Sequence, residues 1–505
     1  MKIYSSWLLI STFILCIFFY TLRSTKRLIM ASPYNLPPNP PKLPIIGNLH
    51  QILTKPRHQA LWQLSKSYGP IMQFYIGSKP FLIISSPAMS KQIFKTHDHV
   101  FCSRPFSKAT KRLTYNYVDI SFSPHSDHRR DMRKILVSEF LGPKRSRLFN
   151  HVLVKETETM IHFISSHPSN IAVNLNDLFL ATIKQVICKM AFGKNYRQQP
   201  VNGPSWEVMI DETQEMFSGS LGDYFPWLGS FIDRFSGFDG KLETCFANID
   251  AYIETILDDH YNQNIDELSD DDKDFVHAII ELSLKENASA YRLTKDEIKA
   301  LILDVLMGGV DTTVTTMVWA MSEIARNTRV MRKLQSEIRT KTERKQDSGE
   351  LDITKMRYLK MVVKETFRMH PPAPLLLPHE SLSHCQVGGY DVLPNTSALV
   401  NVWGIGRDPN IWGNNANEFY PERFENFDVE FELMPFGGGR RSCPAINTAP
   451  TTMEFVIANL LYSFDWKLPN EAKSDDLNME EEGSLVLRKK FPLCLVPINY
   501  NEEDY

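Results

Sequence analysis

Late in the chain stands Met434-Pro435-Phe436-Gly437-Gly438-Gly439-Arg440-Arg441-Ser442-Cys443-Pro444. Three glycines let the backbone turn sharply and bring N–H groups close to a ligand, and the apolar, helix-like run Met453 to Tyr462 directs its positive end at Cys443. Both effects favour a thiolate, the form in which cysteine attacks carbon or ligates a metal. A loop that cradles phosphate would need Lys-Ser/Thr after its glycines, and here Arg-Arg-Ser-Cys stands instead.

A second run, Gly308-Gly309-Val310-Asp311-Thr312-Thr313, falls inside a helix that opens with the capping box Thr294-Lys295-Asp296-Glu297 and continues to about Arg326. Ala300 to Met307 is apolar on nearly every side apart from Asp304, so this helix should run through the middle of the protein. Two glycines cost about 2 kcal/mol there against alanine, and a buried carboxylate needs a partner. Something large and flat is expected against them. A third pair, Glu365 and Arg368, shares one face of a helix predicted from Asp352 to His370 and stopped by Pro371-Pro372. Alone, such a pair reads as an ordinary surface ion pair.

The elements that must position these residues belong to a chain of 505 residues, 43% hydrophobic and 23% charged, with a net charge of −3. That balance excludes a mainly disordered chain and a nucleic-acid binder driven by overall charge. Seven cysteines, at 16, 102, 188, 245, 385, 443 and 494, are too widely spaced for a zinc knuckle or a disulfide scaffold, so the protein reads as reduced and cytosol-facing. Ile3 to Leu22 carries no charge over twenty residues, long enough to span ~30 Å of hydrocarbon, and Arg23, Lys26 and Arg27 follow it. It reads as an uncleaved anchor with the remainder in the cytosol. On that topology the sequons at Asn287 and Asn395 stay unmodified. Residues 1–28 are assigned to the anchor and its basic stop, 29–48 to a stiff Pro-rich hinge, and 49–505 to one mainly helical catalytic domain with a small β portion. Within it Ile71 to Ile76 and Phe81 to Ile84 are predicted to form an antiparallel hairpin.

Phe436-x-x-Gly439-x-Arg441-x-Cys443 resembles the haem-binding signature of the cytochrome P450 family. The Gly308 to Thr313 run, Glu365-x-x-Arg368 and Pro421-Glu422-Arg423-Phe424 match further motifs of that family in its order, so the resemblance covers the whole chain and is closest in flavour to plant microsomal members. It implies the P450 fold behind one N-terminal transmembrane helix, haem b as cofactor, and Cys443 as the axial thiolate. Phe436 should shield the sulfur, Arg441 and Arg133 should reach haem propionates, and Gly308 and Gly309 should let the haem plane approach the central helix. Thr312 and Asp311 match the pair that delivers protons as dioxygen is reduced. Glu365, Arg368 and Arg423 resemble a buried structural set behind the haem.

The chain also departs from the family pattern. Arg129 stands where members commonly carry tryptophan, His379 where many carry arginine, and either is carried over as a propionate contact. Ala445 replaces a usual glycine, and Pro450 lies in the expected second turn of the following helix, where it could kink it. The resemblance implies a monooxygenase of the endoplasmic reticulum membrane. Its electrons come from NADPH through a separate cytochrome P450 reductase, with cytochrome b5 as a further partner, because no flavin motif is present. Arg130, Lys134 and Arg440 would steer an acidic reductase. Alternatives are a hydroperoxide isomerase or dehydratase of the same fold, and a haem-containing ligand-binding protein. The pocket is expected around Phe101 to Ser121, Trp206 to Leu221, Asp304, Met307, Gly308, Ala373 to Leu377 and Ser484 to Val486, lined to suit a terpenoid, alkaloid or phenolic.

Overall fold

The computed structural model describes residues 33–500 apart from 169–170, 194–203, 226, 265–266, 270–272, 285–291, 342–350, 428 and 484. The predicted anchor Ile3 to Leu22, the sequon at Asn287 and pocket residue Ser484 lie outside the described residues. The capping box forms as predicted: Thr294 Oγ1 accepts from Glu297 N, Glu297 Oε2 accepts from Thr294 N at 2.6 Å, and a 32-residue helix runs from Lys295 to Arg326. This helix is long and apolar enough to cross a membrane, but its apolar window is 67% buried against protein, which makes it the core helix. It packs on helices Leu175–Phe192, Arg357–Met369 and Thr448–Ser463.

The β portion is small. Ile71–Ile76 and Lys79–Ile84 form the predicted hairpin, the second strand runs parallel to Ser397–Val400, and His379–Glu380 closes that four-stranded sheet. Cys494–Asn499 pairs with Val173–Asn174 on one side and Phe464–Lys467 on the other.

Two predicted boundaries are corrected. Asp352 caps only a short turn, its carboxylate accepting from Thr354 N, and the helix carrying Glu365 begins at Arg357 after Met356 adopts ψ 87°. Thr448 opens the last long helix, so Pro450 sits in its first turn, where no backbone donor is required and no kink follows. Elsewhere the buried set His260, Asp274 and His277 is explained by capping: Asp274 Oδ1 accepts from His277 N at 2.9 Å and Oδ2 faces His260 Nε2 at 3.0 Å, joining two helix ends.

Candidate functional site

Phe436 O accepts from Cys443 N at 2.8 Å, closing a turn over the three glycines. Gly439 has φ +64°, and a Cβ there would stand 2.7 Å from the carbonyl oxygen of Phe94, while one on Gly438 would meet Phe94 Cβ at 2.9 Å. The loop is therefore pressed flat on Phe94 and Asp98, and only glycine fits. Cys443 is half-buried and faces a cavity of about 320 Å3. The helix expected to point at it starts five residues later at Thr448, so the helix end is not the first influence on its sulfur. Burial pushes the Cys443 thiol up, opposed by the Ala445 N–H and by Arg133. Phe436 packs edge-on to Phe367 with centroids 5.0 Å apart.

Gly308, Gly309 and Thr312 line the opposite wall. A Cβ on Gly308 would meet nothing within 4 Å, and one on Gly309 would press Ile187 at 3.2 Å. Gly308 thus leaves a flat face toward the cavity, whereas Gly309, expected to do the same, is tied to the packing against Ile187. The Thr312 hydroxyl donates to Gly308 O at 2.8 Å. Asp311 does not line the cavity; it is buried behind Thr312, where Oδ2 accepts from Gln214 Nε2 and Oδ1 from Arg488, each at 2.7 Å. Burial raises the Asp311 carboxyl and Arg488 holds it down.

A ring of cations closes one end. Arg441 donates to Cys102 O at 2.6 Å and to Ser123 O, Arg129 to Ile120 O at 2.9 Å, and Arg133 to Ser442 Oγ at 3.4 Å. Arg104, inside the expected pocket loop but in no motif, donates to Leu377 O at 2.9 Å and Pro378 O at 2.8 Å. His379 Nδ1 lies 2.7 Å from Phe101 O, and burial beside Arg104 holds its pKa well below the ordinary value, so it is neutral. Burial and mutual repulsion pull Arg104 and Arg441 below the usual arginine range. Among the described residues the nearby carboxyls are those of Asp119 and Asp304, both raised by burial. Two buried guanidiniums, Arg129 and Arg441, and two half-buried ones, Arg104 and Arg133, beside two carboxyls that resist ionisation call for further negative charge. With Cys443 on one wall and the flat glycine face on the other, the residues fit haem b and its two propionates.

Glu365, Arg368 and Arg423 form a separate set with little or no exposure. Arg368 grips both Glu365 oxygens at 2.7 and 2.8 Å, and Arg423 Nε adds a third bond at 3.0 Å. Arg368 and Arg423 spend their other donors on carbonyls, including Ala416 O at 2.6 Å and Trp412 O at 3.0 Å, which pins the irregular chain before the cysteine loop.

The expected pocket segments converge on the same cavity: Ile120 and Ser121, Gln214 and Phe217, Asp304 and Met307, Ala373 to Leu377 in part, and Leu485 and Val486. Phe122 joins them, stacked on Phe217 at 4.7 Å.

The family model for cytochrome P450 matches residues 37–495. The chain is 52% identical to parthenolide synthase of Tanacetum parthenium over 472 residues, 92% of either chain, and 44% identical to eupatolide synthase of Helianthus annuus over 99% of this chain and 98% of that one. A zebra fish cytochrome P450 solved with progesterone shares the fold at TM-score 0.74 and 22% identity, covering 88% of this chain and all of that one.

Proposed function

The chain belongs to the cytochrome P450 family, and from that premise we propose that it oxygenates a lipophilic terpenoid bearing a carbonyl oxygen function, at a site formed by Cys443, Gly308, Thr312 and Asp311. It is a monooxygenase: R–H, O2, NADPH and H+ give R–OH, NADP+ and water, with electrons supplied through a separate reductase. The substrate reading is supported by the two synthases, whose names share the -olide ending that nomenclature gives to lactones, and by a pocket lined with Phe122, Phe217, Met307 and Leu485. Nothing favours the hydroperoxide isomerase or the inactive binder.

The observation that carries the assignment of the site is the single cavity bounded by Cys443 on one wall and by Gly308 and Thr312 on the other. Bound haem b supplies the redox centre at which dioxygen is reduced and one of its atoms enters the substrate. Cys443 would supply the thiolate that holds the iron, with the Ala445 N–H and Arg133 favouring its charge. Arg441, Arg133 and Arg104 would hold the propionates and Arg129 would add its charge to the same end, whereas neutral His379 spends its one N–H on Phe101 O and has no donor left for a carboxylate. Phe436 and Phe367 keep water from the sulfur. Thr312 holds a proton at Oγ1 on the cavity wall, and Asp311 behind it holds the next one, its charge set by half-exposed Arg488.

Membrane attachment, at the endoplasmic reticulum by family resemblance, is supported by an apolar face near the first described residues. Trp227, Phe231 and Phe235 are 96%, 62% and 75% exposed on the segment around helix Gly229–Phe235. Tyr224 O accepts from Ser78 N and Gly77 N donates to Ile46 O, which places exposed Ile45 and Leu43 on that same side. Reductase docking draws on Arg130, Lys134 and Arg440, with cytochrome b5 as a competing partner. Arg440 pairs with Asp98 and Arg130 with Asp127, so the patch is less positive than its residue count.

The test is direct. Full-length, haem-loaded protein with reductase and NADPH should show a strongly red-shifted Soret band when reduced under carbon monoxide. It should also convert terpenoid lactones or their acid precursors to products 16 Da heavier, as expected for one inserted oxygen. A normal spectrum with turnover only of alkaloids or phenolics would overturn the substrate class.

A further inference from the structure

Gln214 stands where the cavity roof meets Asp311. Its helix, Trp206–Phe217, buries Trp206, Met209, Ile210, Thr213 and Phe217, and Gln214 lies beside that stripe, lining the cavity together with Thr312. Its Nε2 donates to Asp311 Oδ2 at 2.7 Å. A primary amide has two N–H donors and a carbonyl acceptor. One donor is spent on Asp311; among the described residues no protein group pairs with the other donor or with Oε1. The adjacent roof residues, Phe217, Leu485 and Val486, are apolar, so one neutral polar group there has a free edge and a second edge fixed to a buried carboxyl.

We propose that Gln214 is the specificity and positioning residue of this monooxygenase: its free N–H bonds the carbonyl oxygen of the substrate, while its other N–H sets the Asp311 carboxyl behind Thr312. One side chain then links occupancy of the pocket to placement of the proton carrier. The carbonyl half rests on the terpenoid reading above. A ligand of the same shape without the carbonyl leaves the amide N–H unpaired in a mostly apolar wall, which should weaken binding about tenfold or more. A displaced Asp311 diverts electrons from R–OH formation to the balanced side reaction in which O2, NADPH and H+ give H2O2 and NADP+.

The experiment uses the full-length, haem-loaded chain with reductase in a lipid bilayer, with two probes: a terpenoid γ-lactone and its cyclic-ether analogue lacking the carbonyl. Substrate-induced Soret shifts give the two dissociation constants, and peroxide and product are measured per NADPH. The wild type should bind the lactone about tenfold or more tightly over the ether. Gln214→Leu should bind the ether within about twofold of wild type, lose the preference for the lactone and release a larger share of NADPH electrons as peroxide. Gln214→Glu, of equal size but acidic against Asp311, should also raise peroxide. A Gln214→Leu protein that keeps both the lactone preference and the wild-type peroxide share would overturn the proposal. If the wild type gives no shift with either probe, the terpenoid reading and the carbonyl contact fall together, and the basal peroxide share of Gln214→Leu still decides the link to Asp311.

Discussion

Arg488 clasps Asp311 at 2.7 Å and, through its other nitrogen, Asp211 at 2.7 Å. One guanidinium thereby joins the short hairpin at Arg488–Lys489, the central helix and the roof helix, just outside the cavity lining. The joint places the acid of the proposed proton path under electrostatic control from the roof.

Arg488→Gln removes the charge that holds the Asp311 carboxyl down while leaving the burial that raises it. Asp311 must be protonated to pass a proton on, so the alkaline limb of the kcat against pH profile should move to higher pH, by about one pH unit for loss of one adjacent charge. The profile, measured with reductase in excess, checks this; an unmoved limb separates Asp311 from proton delivery.

Glu365→Ala leaves Arg368, 1% exposed, without its two carboxylate oxygens. An uncompensated buried charge costs about 3 to 5 kcal/mol, and the chain segment it pins leads into the cysteine loop. The variant should accumulate without haem. The absorbance ratio of haem to protein after purification is the readout, and a normally folded, haem-loaded variant would remove the structural role.

How legible this site was from sequence depends on whether its residues act through chain neighbours. The Phe436 to Cys443 turn, the Gly308 to Thr312 run and Glu365–Arg368 are local, so residue type and spacing carried them. Gln214 meets Asp311 across 97 residues, Arg104 meets Pro378 across 274 and Arg488 meets Asp211 across 277, which no local pattern encodes. A trace was present for Gln214: it falls eight residues after buried Trp206, at the border of the apolar stripe, where a polar residue needs a partner. The misplaced start of the Glu365 helix has a local cause, since Asp352 satisfies Thr354 N and ends its own turn.

Arg104 stitches the loop around Ser121 to Leu377 and Pro378 through three carbonyl bonds at 2.8 to 3.0 Å. Hydrogen bonds from a charged donor contribute about 1.5 to 3 kcal/mol each, and the same cation faces the propionate end. Arg104→Leu should release haem to apomyoglobin at least about tenfold faster, with the reduced carbon monoxide spectrum of the remaining holoprotein unchanged.

Glu422 binds Arg329 and Lys333 and also accepts from Tyr358, and these donors outweigh burial to lower its pKa to about 2. A depressed carboxyl contributes stability that is present above its unfolded value near 4.5 and fades as pH falls toward the folded one. Because Arg329 and Lys333 are largely exposed, the contribution is discounted to about 1 kcal/mol. Glu422→Gln should unfold more easily at pH 7 and approach the wild type below pH 4, as urea melts at both values would report.

Gly308 and Gly309 are adjacent yet should fail differently. A side chain on Gly309 starts 3.2 Å from Ile187, so Gly309→Leu must push two packed helices apart, and overpacking of this kind costs about 1 to 3 kcal/mol. On Gly308 a Cβ meets no protein atom within 4 Å and the added group enters the cavity. Leucine is also the better helix former by close to 1 kcal/mol, so Gly308→Leu should melt at or above the wild-type temperature while taking up less haem or losing the substrate-induced Soret shift. Equal destabilisation of the two variants, with the Gly308→Leu cavity still accepting cofactor and substrate, would mean that the flat face of the central helix does not bound the site.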